Sequence, residues 1–358
     1  MAGISISPQG VRAAAHELRD ALGDTSDAGA WPDRSVANLP IEGKASLRYY
    51  PALADRVARP LLMVYALVNR PHVLDLAPGD SFIKRLQDLG HPVYLLDWGC
   101  PDAVDAAVSL ADYVCGYLRT AARLVRQRHA ARRIDLLGVC QGGSLALCLA
   151  SIEPRLFSRL VTVVTAVDFH TPSDVLGRMA RALDLPALLG PDGNVSGRLV
   201  AGVFERLRVL RGPAAERLPL GTTLGGSREE RERLQRLLMW QDDYLNQAGR
   251  AWMEWVTACY VENRLIEGGL VLAGETVDLR RLQMPVLNVY ARHDHLVPVD
   301  AARALRRVVS GHQYVELEVP TGNLGVFAGR RGLAVVPTAV STFLRSRRRT
   351  ATAPGQPQ

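Results

Sequence analysis

Residues 134–143 read IDLLGVCQGG, an apolar run that ends at a cysteine framed by glycines. The apolar run predicts a buried strand, and residues 142–152 after it predict a helix. A reactive residue at a sharp turn between strand and helix, with small residues two positions to either side, is the nucleophile elbow pattern. Gly138 and Gly142 supply those small residues, so Cys140 is the candidate nucleophile.

The predicted turn also indicates how Cys140 would be activated. The helix after it points its N–H groups at the sulfur, which favours the thiolate. The backbone N–H of Gln141 is a predicted oxyanion donor, and a second donor is predicted near Val68, in the loop after the first strand. The alternative is a buried cysteine in an ordinary strand–helix turn, and the pattern alone leaves it open.

The rest of the chain repeats the alternation of strand and helix. A continuous apolar run predicts a strand at 60–68, and segments rich in apolar residues predict further strands at 93–98, 134–139, 160–168, 285–290 and 313–319. Helical periodicity predicts helices at 80–89, 103–128, 142–152, 299–309 and 333–346. Strands that alternate with helices predict an α/β fold, with a mostly parallel sheet and helices on both of its faces.

Changes in composition along the chain predict its domain organisation. Residues 1–45 are expected to form an N-terminal helix, at 7–23, and a loop rich in Gly, Pro, Asp and Ser. Residues 46–346 are expected to form the catalytic domain. An insertion at about 170–235 contains Gly and Pro breaks and is predicted to be a lid. The polar tail at 347–358 is predicted to be disordered.

The composition limits the classes of function. The chain has 358 residues and a net charge of +7, and it has no apolar run of the roughly 18 residues that a transmembrane helix needs. Its N-terminus lacks the pattern of a secretory signal, so a cytoplasmic protein is expected. We expect no nucleic-acid partner, because no basic patch is interleaved with aromatic residues. The five cysteines form no C-x-x-C pair, so neither a metal site nor a disulfide framework is predicted.

Two later positions complete the candidate site. Asp294 follows the strand predicted at 285–290, where the acid of a nucleophile–acid–histidine triad belongs; a capping or turn aspartate is the alternative. The histidine of such a triad is expected in the loop after the next strand, and Asn323 occupies that loop. His295 is the candidate substitute base, with its side chain expected to point away from Asp294.

Taken together, these motifs resemble the catalytic subunits of the two-component, class III-type polyhydroxyalkanoate synthases of the α/β-hydrolase superfamily. The resemblance covers about residues 45–345. Its segments are VYALVNRP at 64–71, VYLLDWG at 93–99, GVCQGG at 138–143, VDFHTP at 167–172, MPVLN at 284–288 and DHLVP at 294–298. It implies an α/β-hydrolase fold and polymerisation of 3-hydroxyacyl-coenzyme A by a cysteine–aspartate–histidine triad. It also implies an accessory synthase subunit and a location at polymer granules, with coenzyme A entering as part of the substrate and no resident cofactor.

Carried over position by position, the resemblance makes Cys140 the acyl-carrying nucleophile and Asp294 the triad acid. Asn323 occupies the position of the family's histidine, and an amide takes no proton at neutral pH. Two alternatives therefore stay open: a non-catalytic or impaired subunit, and a thioesterase-like hydrolase in which water replaces the growing chain. The products distinguish the three functions. A polymerase releases coenzyme A and forms polymer, a thioesterase releases coenzyme A and free acid, and a non-catalytic subunit releases no coenzyme A.

Overall fold

The protein is described here from a computed structural model. The model describes four stretches of the chain, residues 34–77, 79–209, 227–309 and 313–346. The helix predicted at 7–23 and the disordered tail predicted at 347–358 lie outside the described residues.

Eight strands form the central sheet. In chain order they are β1 Ala37–Pro40, β2 Ser46–Tyr50, β3 Leu61–Val64, β4 Val93–Asp97, β5 Ile134–Val139, β6 Phe157–Val163, β7 Val286–Ala291 and β8 Tyr314–Val319. Across the sheet their order is β1-β2-β4-β3-β5-β6-β7-β8. Strand β2 is antiparallel to both of its neighbours, and every pair from β4–β3 to β7–β8 is parallel. The mostly parallel sheet predicted from the sequence is confirmed.

The described stretches also contain ten α-helices. They are α1 Phe82–Asp88, α2 Arg119–Arg128, α3 Gln141–Ile152, α4 Val175–Arg181, α5 Gly197–Val209, α6 Arg228–Asp242, α7 Gly249–Trp255, α8 Arg264–Glu267, α9 Val299–Arg303 and α10 Arg330–Arg345. A π-helical segment, Asp112–Leu118, leads into α2, and another, Val256–Val261, continues α7. None of these described helices combines the length and the apolar character that crossing a membrane requires.

Apolar side chains on both faces of the sheet explain why helices cover both faces. In β3, Leu62 and Val64 belong to the core beneath α2 and α3, whereas Leu61 and Met63 belong to the core beneath α1 and α10. Successive strand residues point to opposite faces. A strand that is apolar at every position is therefore stable only between two layers of helices.

One strand of the sheet lies in a region that the sequence analysis interpreted as loop. Ala37–Pro40 pairs with Ser46–Tyr50 at the edge of the sheet, and Leu39 packs against the core. A four-residue strand that ends at a proline carries little sequence signal, and edge strands are where proline is tolerated. The prediction that residues 24–45 form a loop is therefore wrong for Ala37–Pro40.

A long helical segment lies between β6 and β7 and covers the end of β3. It contains α4 to α8, and the main sheet resumes at Val286, within the strand predicted at 285–290. The insertion predicted at about 170–235 covers the first part of this segment. The segment contacts the loop after β3 through the N–H of Leu245, which donates to the carbonyl oxygen of Val68 at 3.0 Å. It therefore lies close to the turn that follows the neighbouring strand β5.

Candidate active site

Cys140 occupies the sharp turn between β5 and α3. Its φ is 54° and its ψ is −128°, a strained backbone conformation for a residue with a side chain. The N–H of Cys140 donates to the carbonyl oxygen of Val163 at 2.8 Å, and the N–H of Gly143 donates to the carbonyl oxygen of Cys140 at 2.9 Å. Strain of this kind persists only where the surrounding structure fixes it, so the position of the sulfur is set by the sheet and the helix.

The glycines on either side of Cys140 are required by close backbone contacts. A Cβ atom at Gly138 would lie 2.4 Å from the Cα atom of Gly143. A Cβ atom at Gly142 would lie 2.4 Å from the carbonyl oxygen of Val64. Both distances are shorter than van der Waals contact allows, so only glycine permits α3 to pack this closely on β3 and β5.

The thiol of Cys140 is protonated at neutral pH. Burial, with a smaller contribution from the negative charge of Asp294, raises the pKa of Cys140 to about 12, although a backbone hydrogen bond from Gln141 lowers it. The N–H of Gln141 at the helix N-terminus favours the thiolate, as expected, but burial outweighs it. Cys140 is half-buried, and the loss of water around its thiol disfavours the charged form by more than the helix N–H groups favour it.

Gln141 joins the elbow to the loop that follows β3. Its side-chain oxygen Oε1 accepts a hydrogen bond from the N–H of Leu67 at 3.0 Å. Val68 is the next residue of that loop, and Val68 and Cys140 pack against the same apolar core. The structure thus brings the segments of both predicted oxyanion donors together beside Cys140, while their role as donors stays a prediction.

Asp294 and Asn323 meet where β7 and β8 end. Oδ1 of Asp294 accepts hydrogen bonds from the N–H groups of Leu296 and Val297, both at 2.9 Å. Its other oxygen, Oδ2, accepts a hydrogen bond from Nδ2 of Asn323 at 2.8 Å. In a Ser-His-Asp triad, a histidine N–H makes this contact with the acid. Asn323 thus makes with Asp294 the contact that a triad histidine would make, and its assignment to the histidine position stays a prediction.

A small cavity of about 40 Å³ lies beside Cys140. Its walls are largely apolar and include Phe169, Trp255 and Leu296. The carboxyl-bearing residue Asp174 and the hydroxyl-bearing residue Tyr260 also line it. A cavity volume of about 10–15 Å³ holds one water molecule, so this cavity has room for a few waters and an acyl chain needs these walls to move apart.

Asp174 and Tyr260 were not identified from the sequence. Asp174 precedes α4, and Tyr260 lies in the π-helical segment after α7. Each is distant in sequence from the elbow, and no motif links either residue to Cys140. An aspartate before a short helix indicates a cap, and that signal says nothing about a cavity on its other side.

None of the described residues that line this cavity is a histidine. His295 is exposed, and its role as substitute base stays a prediction. Nε2 of His170 lies 3.2 Å from the carbonyl oxygen of Tyr260 and can only donate there. Over the same stretches, no three His, Cys, Asp or Glu side chains are grouped as metal ligands would be.

A larger open cleft of about 590 Å³ adjoins the cavity, and Pro298 lines both. Four arginines line the cleft: Arg292, Arg303, Arg306 and Arg307. Three of them form ion pairs: Arg292 with Glu318, Arg303 with Glu316, and Arg307 with Asp168. Arg306 is exposed, and no described carboxylate pairs with it. The cleft therefore offers one guanidinium group that is available to an anionic ligand.

Comparison with known proteins gives a family for this arrangement. A sequence profile described as alpha/beta hydrolase fold matches residues 60–327. The poly(3-hydroxyalkanoate) polymerase subunit PhaC of Allochromatium vinosum is 36% identical over 288 residues, which are 80% of this chain and 81% of that protein. The subunit of the same name from Thiocystis violacea is 35% identical over 326 residues, which are 90% of this chain and 91% of that protein.

Solved structures agree on the fold. A hydrolase from Pseudomonas aeruginosa superposes with a TM-score of 0.52 at 18% identity, covering 87% of this chain and 98% of its own. An alpha/beta hydrolase fold protein from Nakamurella multipartita gives a TM-score of 0.52 at 15% identity, covering 87% and 99%. Such low identities show the fold alone. The two polymerase subunits show more, because each matches most of its length, and this chain therefore belongs to the poly(3-hydroxyalkanoate) polymerase subunit family of the α/β-hydrolase fold.

Proposed function

We propose that the chain links 3-hydroxyacyl groups from coenzyme A thioesters into poly(3-hydroxyalkanoate), with Cys140 carrying the growing chain as a thioester. The observation that carries the proposal is the strained backbone of Cys140, with φ at 54° in the turn between β5 and α3. The polymerase subunits among its relatives favour this function over a non-catalytic subunit or a thioesterase.

Acylation of Cys140 exchanges one thioester for another. Sγ forms a bond to the acyl carbonyl carbon, the bond from that carbon to the coenzyme A sulfur breaks, and the thiol proton ends on the departing sulfur. A thioester and a thiol stand on each side of the reaction, so the step is close to balanced and reverses readily. A serine at this position would form a more stable oxygen ester, from which the chain is harder to pass on.

Elongation needs the 3-hydroxyl of another 3-hydroxyacyl-coenzyme A to attack the thioester on Cys140. An ester bond forms, the bond from the acyl carbon to Sγ breaks, and the hydroxyl proton ends on the released sulfur. The hydroxyl proton needs an acceptor, and such general-base help is typically worth about 10²–10⁴-fold. Asn323 is bonded to Asp294 but accepts no proton at neutral pH. We therefore expect acylation to outpace elongation in this chain.

The anionic end of coenzyme A is assigned to the open cleft. Arg306 offers a guanidinium group to a phosphate, and guanidinium groups match phosphate oxygens in geometry and charge. Because Pro298 lines both the cleft and the cavity, one ligand can hold its phosphates near Arg306 and direct its thioester toward Cys140. The substrate thus brings its own coenzyme, and the proposal needs no resident cofactor or metal.

The wider setting follows from the family resemblance. We extend the proposal to an accessory synthase subunit as partner and to the surface of polymer granules in the cytoplasm as location. Copurification of a second, unrelated chain with the tagged protein from its source cell would support the partner. Full polymerase activity of a lone chain would count against it.

Product analysis tests the proposed function. The purified chain, alone and with its candidate accessory subunit, is incubated with 3-hydroxybutyryl-coenzyme A, and free coenzyme A, polymer and free acid are measured. Polymer formed with coenzyme A release supports the proposal. Free acid without polymer would identify a thioesterase, and no release of coenzyme A would identify a non-catalytic subunit.

A further inference from the structure

Asp174 presents a buried carboxylate oxygen beside the nucleophile. The residue is 4% exposed and precedes α4. Its Oδ1 accepts a hydrogen bond from the N–H of Gly177 at 3.0 Å, which caps the helix. Its Oδ2 is buried and has no hydrogen-bond partner among the described residues. The carboxyl group therefore has one oxygen in a structural role and one oxygen unused.

The unused oxygen is not explained by the helix cap. Serine, threonine and asparagine cap helices about as well as aspartate, and they do so with one acceptor atom. A buried carboxylate oxygen without a donor is costly, because it has lost its water without replacement. The cost is removed when a ligand brings a donor to that oxygen.

Asp174 and Cys140 line the same cavity, together with Tyr260. The charges of Asp174 and Cys140 act on Tyr260 and, after burial, contribute to the raised pKa of its hydroxyl. Ser144, another polar member of the lining, already donates its hydroxyl to the carbonyl oxygen of Ala166 at 2.8 Å. Among the described lining, Oδ2 of Asp174 is the polar side-chain atom that is buried without a hydrogen-bond partner.

The charged surroundings of Asp174 are mixed. Burial and, to a smaller extent, the negative charge of Asp300 raise the pKa of its carboxyl. The N–H of Gly177 and the positive charges of Arg181 and Arg178 lower this pKa. A strong acceptor in this setting is matched by a neutral donor such as an alcohol, since a second anion would be repelled.

We propose that Oδ2 of Asp174 accepts a hydrogen bond from the 3-hydroxyl of the acyl group on Cys140 and thereby selects 3-hydroxyacyl over plain acyl thioesters. The inference rests on the proposed function and names its specificity-determining residue. The cavity walls at Phe169, Trp255 and Leu296 match a carbon chain, and the buried, unpartnered oxygen of Asp174 matches the hydroxyl that such a chain carries near its thioester.

Acylation by two substrates that differ only in that hydroxyl tests the proposal. The purified protein is reacted with 3-hydroxybutyryl-coenzyme A and with butyryl-coenzyme A, and the rate of adduct formation on Cys140 is followed by mass spectrometry. Asp174→Ser keeps a capping oxygen and removes Oδ2, the oxygen that has no hydrogen-bond partner among the described residues. We expect this variant to lose about 10-fold to 100-fold in rate with the hydroxyacyl substrate, as loss of a charged hydrogen bond predicts. Its rate with butyryl-coenzyme A should change less than about twofold.

Two further variants separate recognition from folding. Asp278→Ser removes the carboxylate of another capping aspartate, which accepts a hydrogen bond from the N–H of Arg280. Asp278 is not among the described residues that line the cavity. This variant should therefore leave both rates unchanged. Asp174→Asn keeps the size of the side chain and serves if Asp174→Ser is unstable; it should also reduce the preference for the hydroxyacyl substrate.

The outcomes distinguish this inference from the function on which it rests. An equal fall with both substrates in Asp174→Ser would show a capping role only and would overturn the inference. Equal acylation of the unmodified protein by both substrates would overturn hydroxyl selection and leave the proposed function standing. If neither substrate acylates Cys140 in the unmodified protein, the proposed function fails and this inference fails with it.

Discussion

Nδ2 of Asn323 lies 2.8 Å from Oδ2 of Asp294, so an amide nitrogen makes the contact through which a triad acid normally orients a histidine. A carboxylate only accepts hydrogen bonds, and the amide must therefore present its nitrogen to it. The acid of the candidate triad is in place and hydrogen-bonded, while the residue bonded to it is not a base. We derive the first prediction from this relationship.

Asn323→His should convert the site into a faster polymerase. The acid that would orient the new imidazole is already positioned, so polymer yield from 3-hydroxybutyryl-coenzyme A should rise by about 10²–10⁴-fold. The measurement is polymer formed per mole of protein. Asn323→Ala is the control, because it removes the same amide without adding a base, and it should give no gain.

Two results would contradict this expectation. No gain from a well-folded Asn323→His protein would mean that the site differs from a working triad in more than one residue. Vigorous polymerisation by the unmodified protein would mean that another group acts as base, and His295→Gln would then test the substitute predicted from the sequence.

The reactivity of Cys140 should depend on pH without a plateau in the usual range. Its pKa is raised to about 12, and only the thiolate reacts with alkylating agents. The rate of iodoacetamide labelling should therefore increase about tenfold for each unit between about pH 7 and pH 10. Asp294→Asn removes a negative charge that raises this pKa, so its labelling should be faster at every pH. A plateau below about pH 9 would contradict the burial of the sulfur.

The same pKa shift gives a direction for stability. The ordinary pKa of a cysteine is about 8.5, so between that value and about 12 the folded protein holds the Cys140 proton more tightly than the unfolded chain does. The free energy of unfolding therefore keeps the full contribution of the protonated Cys140 below about pH 8.5. This contribution is lost as the pH rises toward about 12, the pKa of Cys140 in the folded protein. Urea unfolding of the protein and of Cys140→Ala at increasing pH should show a smaller decline for the variant.

Much of the sheet was predictable because its signal is local. Strand β5 has the bounds that the sequence predicted, since a six-residue apolar run ending at Gly-x-Cys-x-Gly leaves little choice. The meeting of Asp294 and Asn323 was also predictable, because the ends of neighbouring parallel strands lie at one edge of the sheet. The pKa of Cys140 was not, because burial depends on helices that are distant in sequence.

The surroundings of Asp174 are a second feature that the sequence could not predict. Its position before α4 predicts a helix cap, and the cap is present. Whether its second oxygen faces solvent, a partner or a cavity depends on where the inserted helical segment lies over the sheet. The sequence around residue 174 contains no signal for that placement.

The close packing at the elbow should make Gly142 intolerant of any side chain. A Cβ atom there would lie 2.4 Å from the carbonyl oxygen of Val64, which is fixed in the sheet. Gly142→Ala should lower the free energy of unfolding by about 3 kcal/mol, at the upper end of the usual cost of overpacking. Gly202→Ala in α5 is the matched control, because nothing lies within 4 Å of its Cβ position; it should stabilise by about 0.5–1 kcal/mol. Similar values for both variants in urea unfolding would contradict the elbow geometry.

Arg306 should contribute to the binding of coenzyme A and not to chemistry. Arg306→Ala should raise KM for 3-hydroxybutyryl-coenzyme A by about 10-fold and leave kcat within about twofold, as loss of one charged hydrogen bond predicts. With the N-acetylcysteamine thioester, which lacks phosphates, the variant and the unmodified protein should behave alike. Arg126→Ala, at an exposed arginine on α2, is the surface control. An equal rise of KM with both thioesters would place the phosphates elsewhere.

The identity of the acyl-carrying residue tests the account most directly. The protein is incubated briefly with 3-hydroxybutyryl-coenzyme A, digested, and the peptides are analysed by mass spectrometry for a thioester-linked 3-hydroxybutyryl group. We predict an adduct on Cys140 in the unmodified protein, the same adduct in Cys115→Ala and Cys148→Ala, and none at any cysteine in Cys140→Ala. Normal labelling of the Cys140→Ala protein would contradict the assignment of Cys140 as nucleophile.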